Sequence, residues 1–329
     1  MLIIAWETTG ACNLACRYCR ASARASPDEG ELSTEEALAF IDEVAPLRPM
    51  LILSGGEPLL RADIFDLARH ANELGLRVSL ATNGTLLDSS VADRIANSGI
   101  SRVSISLDGA SQEMHDKSRG PGSFQAALAG IKSLRGKVDF QINFTITKRN
   151  ADDVLAILRL AEDLGAKALH FFFLVPTGRG RQEDLMSAER QEELLRMIDR
   201  ERPGRRLEIQ VTCAPQYARM ALAHPAGAGP GSSRGRGGGC LAGSRFAFVS
   251  RRGDVYPCGY LPLLAGSIRQ KRFTEIWESS PLLKALRERD LKGKCGGCSF
   301  RQTCGGCRAR AFALTGDFLG PDPLCPEAV

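Results

Sequence analysis

The sequence predicts an α/β protein: an open, partial (β/α)6 barrel followed by a cysteine-rich C-terminal domain. Three observations carry this. Short β-like apolar runs alternate with amphipathic stretches through the first two-thirds of the 329 residues, the pattern of a parallel sheet with right-handed crossovers. A loop with three cysteines, Cys12, Cys16 and Cys19, spaced C-x3-C-x2-C, directly follows the first such run. A second group of cysteines crowds into residues 240–329. Six βα units are two short of a closed eight-stranded barrel, so the barrel is open. Its site is expected at the C-terminal ends of the strands, where the βα loops gather.

Taken in order, Leu2–Thr8 reads as the first strand, and Leu51–Ser54, Arg77–Thr82, Arg102–Leu107, Phe140–Thr147 and Ala168–Leu174 as five more. Helical patterns lie near 35–46, 62–74, 88–98, 123–135 and 151–164. Ser33 and Glu36 form a capping box that opens the first helix, each satisfying a free backbone donor. A further helix is predicted over 187–201 and a strand over Leu207–Thr212. The stretch 225–239 is Gly-rich with two prolines and reads as a flexible linker, with a substrate-facing lid as the alternative. Domain boundaries follow: a barrel over 1–205, a bridging strand and linker over 206–239, and a cysteine-rich domain over 240–329.

Composition excludes several classes. The net charge of +5 is mild, and aromatics are 6% of the chain with no stretch that interleaves them with basic residues; a single-stranded nucleic-acid platform needs that interleaving. No apolar run approaches the ~20 residues of a membrane span. The first eight residues lack the basic region of a signal peptide. A cytoplasmic protein is expected, in which eleven cysteines argue for metal rather than disulfides.

Three thiolates held this close suit three corners of a [4Fe-4S] cluster, which normally takes four cysteines; the fourth iron is then open to a ligand. A structural zinc site is the competing reading, although its ligands more often come as two separated pairs. Cys12-Asn-Leu-Ala-Cys16-Arg-Tyr-Cys19, with Tyr18 at the usual aromatic position, resembles the signature of radical S-adenosylmethionine (SAM) enzymes. In that family the open iron chelates SAM, whose reductive cleavage gives a 5′-deoxyadenosyl radical. Ser54-Gly55-Gly56-Glu57-Pro58 resembles the family's GGEP motif, with Glu57 or nearby carbonyls taking the methionine ammonium and the glycines admitting close approach. By the same resemblance Asn83, Ser106 and Arg119 belong to the SAM site, Ser106 and Arg119 at its carboxylate or ribose, and Asn143 and Val175 line the ribose and adenine pocket. His170, in the sixth strand, either faces the cavity or is a satisfied structural histidine.

The later cysteines resemble the SPASM (twitch-like) extension that holds auxiliary [4Fe-4S] clusters. Residue by residue, Cys295, Cys298, Cys304 and Cys325 match one cluster, and Cys240, Cys258 and Cys307 match a second. Cys304 and Cys307 depart from the usual C-x3-C spacing. Cys213 either completes the second set or is a buried core thiol. A zinc ribbon is the alternative for the pairs at 295–307.

The whole chain looks closest to the heme b synthases of the siroheme-dependent pathway (the AhbD type). The phrases that carry this are Ala5-Trp6-Glu7-Thr8, Cys19-Arg20-Ala21-Ser22-Ala23, Leu174-Val-Pro-Thr-Gly-Arg-Gly180, Thr212-Cys-Ala-Pro215, Cys240-Leu-Ala-Gly243 and Cys304-Gly-Gly-Cys-Arg-Ala-Arg-Ala311. That resemblance implies oxidative decarboxylation of two propionates of iron-coproporphyrin III to vinyl groups, with hydrogen taken from the propionate β-carbon. One electron per propionate then needs an acceptor. A reducing donor such as flavodoxin or ferredoxin is implied as well. A substrate with four carboxylates wants arginines, and Arg179, Arg181, Arg234 and Arg236 are the candidates. A radical-SAM peptide maturase is the alternative enzyme, and a non-catalytic electron-transfer protein the alternative of another class.

Overall fold

The computed structural model describes residues 1–223 and 239–326. Ten strands form one sheet. β1 (Ile3–Glu7), β2 (Met50–Ser54), β3 (Arg77–Thr82), β4 (Ile100–Ser106), β5 (Phe140–Ile146), β6 (Ala168–Phe173) and β7 (Glu208–Thr212) follow in spatial and chain order, all parallel. The predicted strands are present, with ends shifted by one or two residues. The strand assigned to a bridging segment is instead β7, the seventh strand of the sheet, paired with β6 from Ala168 opposite Glu208 onward. On the other side β1 pairs in parallel with β8 (Phe246–Val249), and β9 (Asp254–Tyr256) and β10 (Gly266–Ser267) continue the sheet antiparallel. The cysteine-rich region therefore grows out of the same sheet.

Between the parallel strands run α1 (Thr34–Val44), α2 (Ile64–Glu73), α3 (Ser89–Asn97), α4 (Gln112–Arg119), α5 (Ser123–Leu134) and α6 (Val154–Leu164). Then come α7 (Ala188–Glu201), α8 (Gln216–Ala223), and the short α9 (Phe273–Ser279), α10 (Pro281–Glu288), α11 (Gly293–Gly297) and α12 (Arg308–Thr315). The Ser33–Glu36 capping box forms at the start of α1. A helix at α4 was not expected; only His115 of its eight residues is buried, and Ser111 caps it by accepting from the Met114 N–H.

Strand alternation decides what the two faces do. Ile4, Trp6, Leu51, Leu53, Val78, Leu80, Val103, Ile105, Ile142, Phe144, Leu169 and Phe171 belong to the fully buried apolar core with the helices. Among the alternate positions, the polar Ser106, Asn143, His170 and Gln210 stand in one register row across β4 to β7. Parallel strands covered on both faces read as near-continuous apolar runs. A polar inner row instead marks a face that lines a site. Residues 224–238, with Arg234, Arg236 and most of the Gly-rich stretch, lie outside the described residues.

Candidate functional site

The cysteine loop leaves β1 and crosses the ends of β2 and β3. Two backbones meet closely there: the Gly56 and Glu57 N–H groups donate to the Thr9 and Ala11 carbonyls, both at 2.7 Å. A Cβ on Gly55 would stand 2.8 Å from the Thr9 carbonyl oxygen, and one on Gly56 2.2 Å from that of Ala11. The glycines thus admit the cysteine loop itself. Glu57 has protein partners of its own. Its carboxylate is fully buried and accepts from Thr82 Oγ1 at 2.7 Å, the Asn83 N–H at 2.8 Å and the Leu59 N–H at 3.2 Å. Burial pushes it up to about 7 against those donors. It braces the strand ends through these three donors. Pro58 is buried and opens a 3₁₀ turn.

Cys12 and Cys16 are buried and Cys19 half-buried. Donors are aimed at their sulfurs: the Leu14 N–H at 3.4 Å and Asn83 Nδ2 at 3.9 Å to Cys12, and Arg119 Nη1 at 3.9 Å to Cys16. Asn83 Nδ2 also donates to Asn13 Oδ1 at 2.8 Å. Without metal, burial pushes the Cys12 thiol up to about 11. A ligand that takes thiolates must displace that proton.

Arg119 is anchored within the protein. Its Nε is paired with Asp108, whose side chain is wholly buried. Asp108 Oδ1 also accepts the Thr145 N–H at 2.7 Å, and its own N–H donates to His115 Nδ1 at 3.1 Å. Burial works against the Arg119 charge, but Asp108 and Cys16 hold it firmly protonated. Arg119 therefore delivers a fixed positive charge to the cysteine loop.

Ser106 and Asn143 do meet across β4 and β5 at the expected rim, although Asn143 Oδ1 already accepts from Gln141 Nε2 at 3.0 Å. His170 meets the same Gln141 amide at 3.2 Å and is held neutral by burial, lowered to about 4; it is the satisfied histidine. Val175 packs in one cluster with Leu261, Leu286 and Cys307, on the side of the C-terminal cysteines. Arg179 is also diverted. Its Nε and Nη1 hold the Cys16 and Ala23 carbonyls at 2.8 and 2.9 Å, and its N–H holds that of Cys19 at 3.0 Å. Arg181 is exposed, 4.0 Å from Glu183.

The C-terminal cysteines assemble in the two predicted sets. Cys295, Cys298, Cys304 and Cys325 line one cavity together with Gln216, Arg219, Lys294 and Arg301. Backbone N–H groups of Phe300, Gly306 and Asp322 each lie 3.4 Å from a sulfur of this set, those of Cys298, Cys304 and Cys295. Cys213 and Cys258 pack against Cys307, and Cys240 lies close to both Cys258 and Cys307. Cys213 lies against Cys307, and that contact draws the Cys307 thiol below its ordinary value. Cys213 adopts a left-handed φ of 62°, a conformation that costs a non-glycine residue roughly 1–3 kcal/mol and clusters at functional sites. The chemistry of all three sets fits iron–sulfur ligation: soft thiols, buried or half-buried, with N–H donors aimed at sulfur.

Sequence reasoning missed the link between the first and last sets. Arg20, next to Cys19, donates to the Gly259 carbonyl at 3.4 Å, next to Cys258, and lies 4.4 Å over the Phe248 ring. Its other nitrogen pairs with Glu7 at 3.2 Å. Thr177 Oγ1 ties the β6 loop to the Tyr260 carbonyl at 3.0 Å. Only the position of Arg20 beside a ligand cysteine could have signalled this.

Comparison with known proteins bears on the same residues. Residues 6–161 match the radical SAM superfamily, and residues 240–299 match a family described as an iron–sulfur cluster-binding domain. The chain is 48% identical to an AdoMet-dependent heme synthase of Methanosarcina barkeri, over 98% of this chain and 95% of that protein. It is 43% identical to the AdoMet-dependent heme synthase of Oleidesulfovibrio alaskensis, over 98% of this chain and 86% of that one. Among solved structures, Streptococcus suis SuiB bound to S-adenosylmethionine superposes with a TM-score of 0.76 at 18% identity, covering 99% of this chain and 77% of that one. At that identity the likeness speaks for the fold.

Proposed function

The chain belongs to the radical SAM superfamily, with a C-terminal iron–sulfur domain, and from that premise we propose that it decarboxylates two propionates of iron-coproporphyrin III to the vinyl groups of heme b. The near-full-length similarity to heme synthases carries this reading. When bound, the cluster and SAM supply a 5′-deoxyadenosyl radical able to take hydrogen from the propionate β-carbon; protein contributes placement and electrostatics.

Cys12, Cys16 and Cys19 would hold the radical-site cluster. Asn83 and Arg119 donate to their sulfurs and offset negative charge. Ser106, Asn143 and the strand-end carbonyls near Gly55 and Gly56 offer polar contacts to SAM. Cys213, Cys240, Cys258 and Cys307 would hold one auxiliary cluster and Cys295, Cys298, Cys304 and Cys325 another. The Arg20 bridge to Gly259 supports the first of these as the receiver of the electron each decarboxylation releases. Exposed Arg181 stands as one grip for a propionate, whereas Arg179 serves the cysteine loop. A flavodoxin or ferredoxin donor and a separate acceptor complete the cycle. Among the described residues no helix is long and apolar enough to cross a membrane. All eleven cysteines are free, which supports a reducing, cytoplasmic setting.

The test is anaerobic incubation of reconstituted protein with SAM, dithionite and iron-coproporphyrin III. Heme b and two CO2 per porphyrin are expected. Release of 5′-deoxyadenosine with no mass loss from the porphyrin would overturn the substrate while leaving the superfamily assignment intact.

A further inference from the structure

One buried network touches both auxiliary cysteine sets. Arg308 is 3% exposed. Its backbone directly follows Cys307 and runs beside Cys240, and its Nη2 lies 3.9 Å from the Cys295 sulfur. A single residue thus adjoins both sets. The guanidinium is fixed from the other side by the carbonyls of Gly306 at 3.2 Å, Phe318 at 3.0 Å and Gly320 at 2.6 Å.

A second connection runs beside the first. The Asp322 N–H lies 3.4 Å from the same Cys295 sulfur, while Asp322 Oδ2 accepts the Cys307 N–H at 2.8 Å. Arg310 clamps both carboxylate oxygens at 2.9 and 2.7 Å and holds the Cys213 carbonyl at 2.8 Å. Arg310 and Asp322 are fully buried. A buried ion pair is weak evidence for stability, because apolar replacements often do as well. Its placement between two thiol sets is the better explanation. N–H donors and positive charge at a ligand sulfur stabilise the reduced, more negative cluster and raise its potential. Cys295 receives two donors, one of them from a guanidinium.

We propose that Arg308, held in register by the Asp322–Arg310 pair, is a positioning residue that links the two auxiliary clusters and raises the reduction potential of the Cys295 cluster. This rests on the two-auxiliary-cluster reading above and not on the porphyrin.

The test is an EPR-monitored redox titration of the full chain, anaerobically reconstituted, with iron and sulfide counts. The Cys295 cluster's signal is assigned by its loss in Cys298→Ala. Arg308→Met is expected to make that cluster at least tenfold harder to reduce, 59 mV for a one-electron couple, with a smaller shift at the other. Arg308→Lys, which keeps the charge but not the fork, is expected to shift it less and in the same direction. An unmoved midpoint in Arg308→Met at full iron content overturns the inference. If Arg308→Met loses iron, an unmoved midpoint in Arg308→Lys overturns it equally. Iron for only one auxiliary cluster in the unsubstituted protein would overturn the two-cluster reading as well. Two clusters with unmoved midpoints would sink this inference alone.

Discussion

Asp108 and Arg119 form the ion pair on which the radical site leans hardest. Asp108 has no exposed side-chain surface and Arg119 only 12%, so neither charge can be left to water. Removing one partner of such a pair costs about 3–5 kcal/mol, because the other stays buried and uncompensated. Arg119→Ala is expected to lose about that much in anaerobic chemical denaturation, together with the donor at Cys16. Asp108→Asn/Arg119→Met, which removes both charges, should recover most of the loss; a double variant no more stable than Arg119→Ala would contradict this. His115 packs beneath the same pair and is held neutral, lowered from 6.5 to about 4 by burial and then by the Arg119 charge. A depressed histidine stabilises the fold above its unfolded value. That contribution is lost as pH falls from 6.5 through about 4, and amounts to roughly 3 kcal/mol for a shift of this size. The His115 Cε1–H resonance in the oxidised protein should therefore keep its neutral position down to about pH 5. A midpoint near 6.5 would refute the assignment.

The contact between the cysteine loop and the end of β2 makes a sharper claim about how elements cooperate. Gly56→Ala would drive a methyl against the Ala11 carbonyl, so the loop must lift from the strand end. The expected result is loss of the radical-site cluster with both auxiliary clusters retained: about a third of the iron lost, and no 5′-deoxyadenosine formed. Loss of all iron would point to global unfolding instead. The strands that shape this rim were legible because each combines an apolar run with a following turn, and the thiol sets because cysteine spacing is local. α4 was not legible: Gln112–Arg119 carries one buried residue and so no apolar stripe, and its caps and His115 hold it. Nor were β8 to β10, two to four residues long, too short to show a period of two. Arg119 and Glu57 were found as residues, but the buried partners that hold them were not. Burial of a charge against a partner many positions away is a tertiary property, and spacing does not encode it. Arg308, Arg310 and Asp322 escaped for the same reason.

At the scale of the molecule, the boundary expected near residue 240 divides chemistry but not architecture. β8 closes the open side of β1 through the pairs Ile3–Phe246, Ile4–Ala247, Ala5–Phe248 and Trp6–Val249. Arg251, just beyond it, pairs with Glu7 at 2.6 Å and with Asp28. Phe273 of α9 stacks edge-on against Phe40 of α1 at 6.1 Å. A fragment ending at residue 223 would lose all three. It would expose β1 as an unpaired edge, which invites pairing with other chains, and leave the buried Glu7 with Arg20 as its remaining ion-pair partner. That fragment is expected to elute as aggregate in anaerobic size-exclusion chromatography and to hold no radical-site iron, even though it contains Cys12, Cys16 and Cys19. Arg251→Met in the full chain separates the two causes: it keeps the strand pairing and removes the charge, so it should elute as the unsubstituted protein does and merely lose stability. A monomeric fragment that binds iron and cleaves SAM would show that the barrel stands without its C-terminal strands. Aggregation of Arg251→Met would place the dependence in the Glu7 pair rather than in the sheet edge.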